Sequence, residues 1–102
     1  MAVDGVTPGW TFLSNHGHVL VCIAEDPDQR LRDIALRVGI TERAVFSIVN
    51  DLEADGYVRR IPVGRRNRYE LDASRPLRHA VERRHTVGTL LGALAPEARR
   101  PG

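Results

Sequence analysis

Lysine is missing from this sequence. All of its positive charge is arginine, and the 15 basic residues stand against 13 acidic ones for a formal net charge of +2. A genomic leaning toward GC-rich codons accounts for the missing lysine but not for where the arginines sit. Cysteine is nearly missing too. The single Cys22 excludes an internal disulfide and fits a reducing compartment. No run approaches the ~18 apolar residues that a membrane span needs. The start, MAVDGVTPGW, has neither the charged n-region nor the apolar h-region of a secretory signal. The expectation is a cytoplasmic protein with no membrane partner. At 102 residues and 42% hydrophobic content there is material for one domain plus one extra element. A domain this small often gains from a partner subunit.

Reactive constellations are also scarce. There is no phosphate loop, no paired-carboxylate arrangement and no nucleophile with an oriented base, so the chain does not read as an enzyme. Among the four histidines, His18 stands four residues before Cys22 and the two could supply a pair of metal ligands, but nothing else gathers near them. His79 and His85 fall on different sides of their helix. His16 lies on an apolar helix face and reads as a hydrogen-bonded core residue. Neither a metal nor a cofactor is expected.

What is present is a succession of short helical patterns. Residues 1–9 hold Gly5, Pro8 and Gly9 and read as a loose arm. In WTFLSNHGHVLVCIAED, Ser14 is a plausible N-cap, and Val19 to Ala24 is apolar nearly all round, which implies cover on more than one side. RLRDIALRV places Leu31, Ile34, Ala35 and Val38 at helical spacing. Gly39 follows, ready to end the helix in the left-handed conformation. Thr41 is a good N-cap for a helix whose Ala44, Val45, Ile48, Val49 and Leu52 form one stripe, ending near Gly56. YVRRI and RYEL, separated by PVGRRN, read as a hairpin. Residues 76–94 read as one amphipathic helix with Leu77, Ala80, Val81, Val87, Leu91 and Leu94 on its apolar side, and 95–102 as a disordered tail.

Two helices crossing steeply need a small residue at their closest approach, which Ala35 supplies. Gly39 makes the turn, Ile40 plugs the angle, and Val45 and Ile48 pack the second helix on the first. The stretch LRDIALRVGITERAVFSIVNDLEADGYVRRIPVGRRNRY resembles the DNA-binding core of MarR-type and ArsR-type winged helix-turn-helix transcriptional regulators. The fold expected is mainly α with a small β-hairpin: a winged helix-turn-helix over 10–72 followed by a C-terminal amphipathic helix. The resemblance implies that the helix over 41–55 enters the major groove. It also implies that the wing, 59–68, lies along the backbone or the adjacent minor groove.

The residues agree with that picture. At about 100° per residue, Arg43, Phe46, Ser47 and Asn50 stand opposite the apolar stripe and are the candidate base contacts. Arginine can pair with guanine O6 and N7, asparagine with adenine, and an aromatic edge can meet thymine methyls. The alternative for Phe46 is to tuck against the wing or the preceding helix. Glu42 suits the helix dipole whatever its partner, and Arg37 sits either at a phosphate or in solvent. From Arg59 to Arg68 there are five arginines and no acidic residue, a local cluster that suits phosphates. Arg60, Arg65, Arg66 and Arg68, with Thr41, are the candidate backbone or minor-groove contacts. Arg59 and Arg60 point to opposite faces of a strand, so one of the two is expected on DNA.

The C-terminal helix has two possible roles, folding back or pairing with a second chain. The spacing, together with the all-round apolar first helix, favours a homodimer through Leu77, Val81, Val87, Leu91 and Leu94, with Val21 and Cys22 nearby. A dimer would match the paired half-sites that such regulators bind. The competing readings are a winged-helix protein-interaction module anchored by Phe46, or a non-specific architectural DNA binder. A small-molecule effector, the operator and the sign of regulation are not legible.

Overall fold

Ser14 does cap the first helix, its hydroxyl accepting from the Gly17 N–H at 3.3 Å. In the computed structural model, which describes residues 9–95, the elements run α1 (Asn15–Glu25), α2 (Leu31–Val38), α3 (Glu42–Ala54), β1 (Val58–Val63), β2 (Arg66–Leu71) and α4 (Val87–Leu94). All but one residue of the arm at 1–9, and all but one of the tail at 95–102, lie outside the described residues. Three helices stack around Val19, Ile23, Ile34, Val45 and Val49, all essentially without solvent exposure. Burying one such side chain contributes about 1.5–3 kcal/mol. Ala35 is buried at the α2–α3 crossing, and Ile40 packs half-buried against the core. Gly39 ends α2 at φ 87, in the left-handed region.

The hairpin is tighter than its sequence suggests. Strand pairing runs from Val58 with Leu71 to Val63 with Arg66, so only Gly64 and Arg65 turn the chain. Gly64 takes φ 63, the positive value that primed two-residue turns require at their first central position. Pro62 therefore lies inside β1, tolerated because a two-stranded sheet leaves each strand a free edge. Val58 and Tyr69 are buried on the inner face, with Leu71 half-buried beside them. Along β2 the outer edge meets the turn after α1: the Tyr69 N–H donates to the Pro27 carbonyl at 3.0 Å.

The C-terminal segment departs from expectation. Helix α4 begins only at Val87, and the chain from 78 to 85 is a series of turns. Pro76 bridges to Thr86, and the Leu77 N–H donates to the His85 carbonyl at 3.0 Å, closing the intervening loop on itself. Thr86 then starts the helix by accepting from the Thr89 N–H at 3.2 Å. The helical spacing runs through a polar stretch, Glu82 to Thr86, that satisfies its backbone locally instead. The apolar stripe is also turned inward. Val87 is fully buried, Leu91 is buried, and Leu77 packs half-buried on the same core, so all three are engaged within the chain. Only Val81 and Leu94 of the expected dimer seam are exposed.

The all-round apolar α1 is likewise covered by its own chain, since α2, α3, α4 and β2 all pack on it. Cys22 is buried there, and that burial pushes its thiol above the ordinary value although Arg37 pulls it down. Neither its burial nor its shift suits a reactive or interfacial cysteine. His16 is hydrogen-bonded but is not a core residue: its side chain is half exposed, and Nε2 lies 2.8 Å from Asp51 Oδ2. Among the described residues, no helix is long and apolar enough to cross a membrane.

Candidate nucleic-acid interface

Helix α3 has two chemically distinct sides. Val45, Ile48, Val49 and Leu52 are buried, while Arg43, Phe46, Ser47 and Asn50 are exposed together on the opposite side. The helix starts where Thr41 caps it, Oγ1 accepting from the Ala44 N–H at 3.0 Å. Thr41, expected at a phosphate, thus has a structural task that fixes where α3 begins. Replacing it by alanine should lower stability by about 1 kcal/mol, measured by chemical denaturation, and Thr41→Ser should restore most of the loss.

Phe46 does not tuck against α2. It remains 48% exposed, with the Arg60 guanidinium over its ring at 5.5 Å from the centroid. Arg60 also donates to Asn50 Oδ1. Arg59, on the outer face, pairs with Glu70 at 2.7 Å. The opposite-face reading of the two arginines holds, but Arg60 is directed to α3 rather than outward.

The wing arginines divide. Arg66 donates to the Asp28 carbonyl at 2.6 Å, and Arg68 pairs with the Asp28 carboxylate at 3.2 Å. Both tether the hairpin to the turn after α1. The Arg68 pair is about half exposed on each side, and exposed pairs are worth ~0–1 kcal/mol, little enough to be exchanged for a phosphate. Arg65, at the hairpin tip, is exposed and makes no side-chain hydrogen bond or ion pair among the described residues. Arg37 is held by Glu25, and this hydrogen bond raises its pKa further.

Between the wing and the starts of α2 and α3 runs a groove of about 540 Å³, bordered by Arg30, Arg32, Arg65 and Arg66 with Asp28 and Glu42. Arg30 and Arg32 lie outside the Arg59–Arg68 cluster and join it only through the fold. The run Gln29-Arg30-Leu31-Arg32 carried the signal, with two arginines flanking a helix start. Arg30 occupies the N-cap of α2 without any side-chain hydrogen bond to the helix, so the orphan N–H groups there can take an outside acceptor.

A second cleft of about 540 Å³ lies on the other side of α3, walled by Leu13, Leu20, Leu77, Val87 and Leu90 and edged by Asp51, Asp55 and Arg78. Arg78 pairs with Asp55 at 3.1 Å. No group of three or more His, Cys, Asp or Glu side chains is gathered to hold a metal ion among the described residues.

Three helices, a sharp turn before the third and a two-stranded wing define a winged helix-turn-helix. Residues 14–59 match the family model described as winged helix-turn-helix DNA-binding. The fold is thus that of a winged helix-turn-helix, and residues 14–59 are similar to the DNA-binding family of that name. A solved structure of similar fold is the MarR family protein Rv2887 of Mycobacterium tuberculosis in complex with salicylic acid. It is 21% identical, with a TM-score of 0.54 over 83% of this chain and 56% of that one. The present chain therefore spans little more than half the length of that protein. Comparison with curated proteins finds no match. The winged helix-turn-helix expected from residues 31–69 is borne out by the family model and the fold together, and the MarR family structure shares that fold.

Proposed function

We propose that the chain is a cytoplasmic, sequence-specific regulator of transcription that binds double-stranded DNA as a homodimer. The observation that carries this reading is the exposed face of α3, with Arg43, Phe46, Ser47 and Asn50 side by side and an arginine-bordered groove alongside it. On this reading α3 lies in the major groove, Arg43, Phe46, Ser47 and Asn50 meet base edges, and Arg30, Arg32, Arg65 and Arg66 face phosphates. Arg68 joins them when it exchanges Asp28 for DNA. A protein-interaction module anchored by Phe46 is less well supported, because Arg60 already lies over that ring.

Of the expected seam, Val81 and Leu94 are exposed and remain available to that dimer. Trp10 and Phe12, 74% and 91% exposed and packed edge to face, are further apolar side chains that suit a second copy. The cleft behind α3 is large enough for a small effector, and the salicylic acid in the Rv2887 structure makes a small aromatic acid the first one to try.

Selection from a random duplex library tests the reading. An enriched inverted repeat is the expected result. Salt-sensitive binding to all duplexes without enrichment would leave only an architectural role, and no binding would leave the protein-interaction module. Repeating the selection with salicylate should weaken or sharpen the enrichment if the cleft is an effector site, and leave it unchanged if it is not.

A further inference from the structure

Arg60 has its guanidinium engaged within the protein rather than directed outward. It leaves β1 on the inner face, paired across the hairpin with the buried Tyr69, and its side chain is only 23% exposed. One terminal nitrogen, Nη2, donates to Asn50 Oδ1. Its Nε lies 3.3 Å from Glu53 Oε1, near enough for charge pairing but out of line for a hydrogen bond, so that this buried N–H has no acceptor. The guanidinium carbon lies over the Phe46 ring, 5.5 Å from its centroid. Two of the four candidate base contacts are therefore held by one side chain from the wing.

Resting on the reading of α3 as a recognition helix, we propose that Arg60 is a positioning residue that sets the base specificity of Asn50. Arginine has donors only, so the atom of Asn50 facing it must be the amide oxygen. The orientation of the amide, otherwise ambiguous, is fixed by this partner. The NH2 group is then what Asn50 presents outward. Adenine offers an acceptor at N7 and a donor at N6, and a free asparagine satisfies both by using its oxygen and its nitrogen together. Guanine offers acceptors at both N7 and O6. An asparagine whose oxygen is already engaged matches guanine and leaves the adenine N6 donor without its partner. Asn50 therefore reads guanine in place of the adenine that its type alone suggests, while Arg60 neutralises no phosphate.

The test is duplex selection with the full chain and with the variants Asn50→Ala, Arg60→Ala, Arg60→Lys and Asn50→Asp. The position read by Asn50 is the one whose profile flattens in Asn50→Ala. Guanine is expected there for the natural sequence. In Arg60→Ala, the ratio of guanine to adenine at that position should fall by roughly 5- to 150-fold, the discrimination of one bidentate pair. The salt dependence of binding should stay as it was. Arg60→Lys keeps a charged donor and should retain part of the guanine preference. If Arg60→Ala fails to fold, Asn50→Asp still decides the matter. One carboxylate oxygen would stay on Arg60, the other would face the base as an acceptor, and preference should move to cytosine through its N4 donor.

An unchanged profile in Arg60→Ala, with the salt slope reduced by about 0.9, would make Arg60 an ordinary phosphate contact and overturn the proposal. So would adenine at the Asn50 position of the natural sequence, or an Asn50→Asp profile that does not move. If the natural sequence enriches no motif at all, the reading of α3 as a specific recognition helix fails, and the proposal fails with it.

Discussion

Ile34→Ala is expected to lower the unfolding free energy by about 2–5 kcal/mol, the cost of removing a buried isoleucine side chain and leaving a cavity. Ile34 is fully buried, in the same core as Val19, Val45 and Val49. It sits on α2, the eight-residue helix that α3 packs against. A short helix cannot hold itself together in water and depends on its packed face. Ala35 beside it already lets the two axes approach closely, leaving few atoms that can move into the vacated space. A domain of this size has a total stability on the order of 5–15 kcal/mol, so the upper end of the range would leave much of the chain unfolded. Urea titration should show a lower midpoint with an unchanged slope. Leu36, two residues along and 76% exposed, is the control, with Leu36→Ala expected to stay within about 0.5 kcal/mol. A loss under about 1 kcal/mol for Ile34→Ala would mean that the α2–α3 crossing is not the mechanical centre of the domain.

That crossing was also the most legible part of the chain. Ala35, Gly39 and the Val45, Ile48, Val49 and Leu52 stripe each state a local requirement that only one packing satisfies. Residues 31–56 could therefore be read almost as they fold. Legibility failed where a pattern admitted two partners. The apolar positions from Leu77 to Leu94 fit a helix seam on paper, but periodicity does not say which surface covers it. The core behind α1 and α3 took Leu77, Val87 and Leu91, and the polar stretch between them turned on its own hydrogen bonds. His16 was misplaced for a related reason. A position on an apolar face near a helix end can still point past the core, and there it met Asp51. In the candidate interface, the exposed side of α3 was readable from helical angle alone. The engagement of Arg60 with Asn50 and Phe46 was not, because it depends on how far the wing folds over α3.

Arg43→Ala should show what the exposed face of α3 is for. Arg43 lies near the start of α3, exposed and without a hydrogen bond or ion pair among the described residues, unlike Arg60 and Arg68. An arginine so placed can give both donors of its fork to guanine O6 and N7. Its removal should cost about 1–3 kcal/mol at one base position, roughly 5- to 150-fold in affinity for the preferred duplex. Duplexes already altered at that position should lose little, so the base profile flattens there and nowhere else. Arg65→Ala at the hairpin tip is the informative contrast. It should weaken binding to every duplex alike and reduce the slope of log affinity against log salt by about 0.9, leaving the profile intact. Fluorescence anisotropy on the preferred duplex and on single-base variants, at several salt concentrations, separates the two effects. If Arg43→Ala instead behaves as Arg65→Ala should, the start of α3 rides on the backbone. Base reading would then have to come from Phe46, Ser47 and Asn50, deeper along the helix.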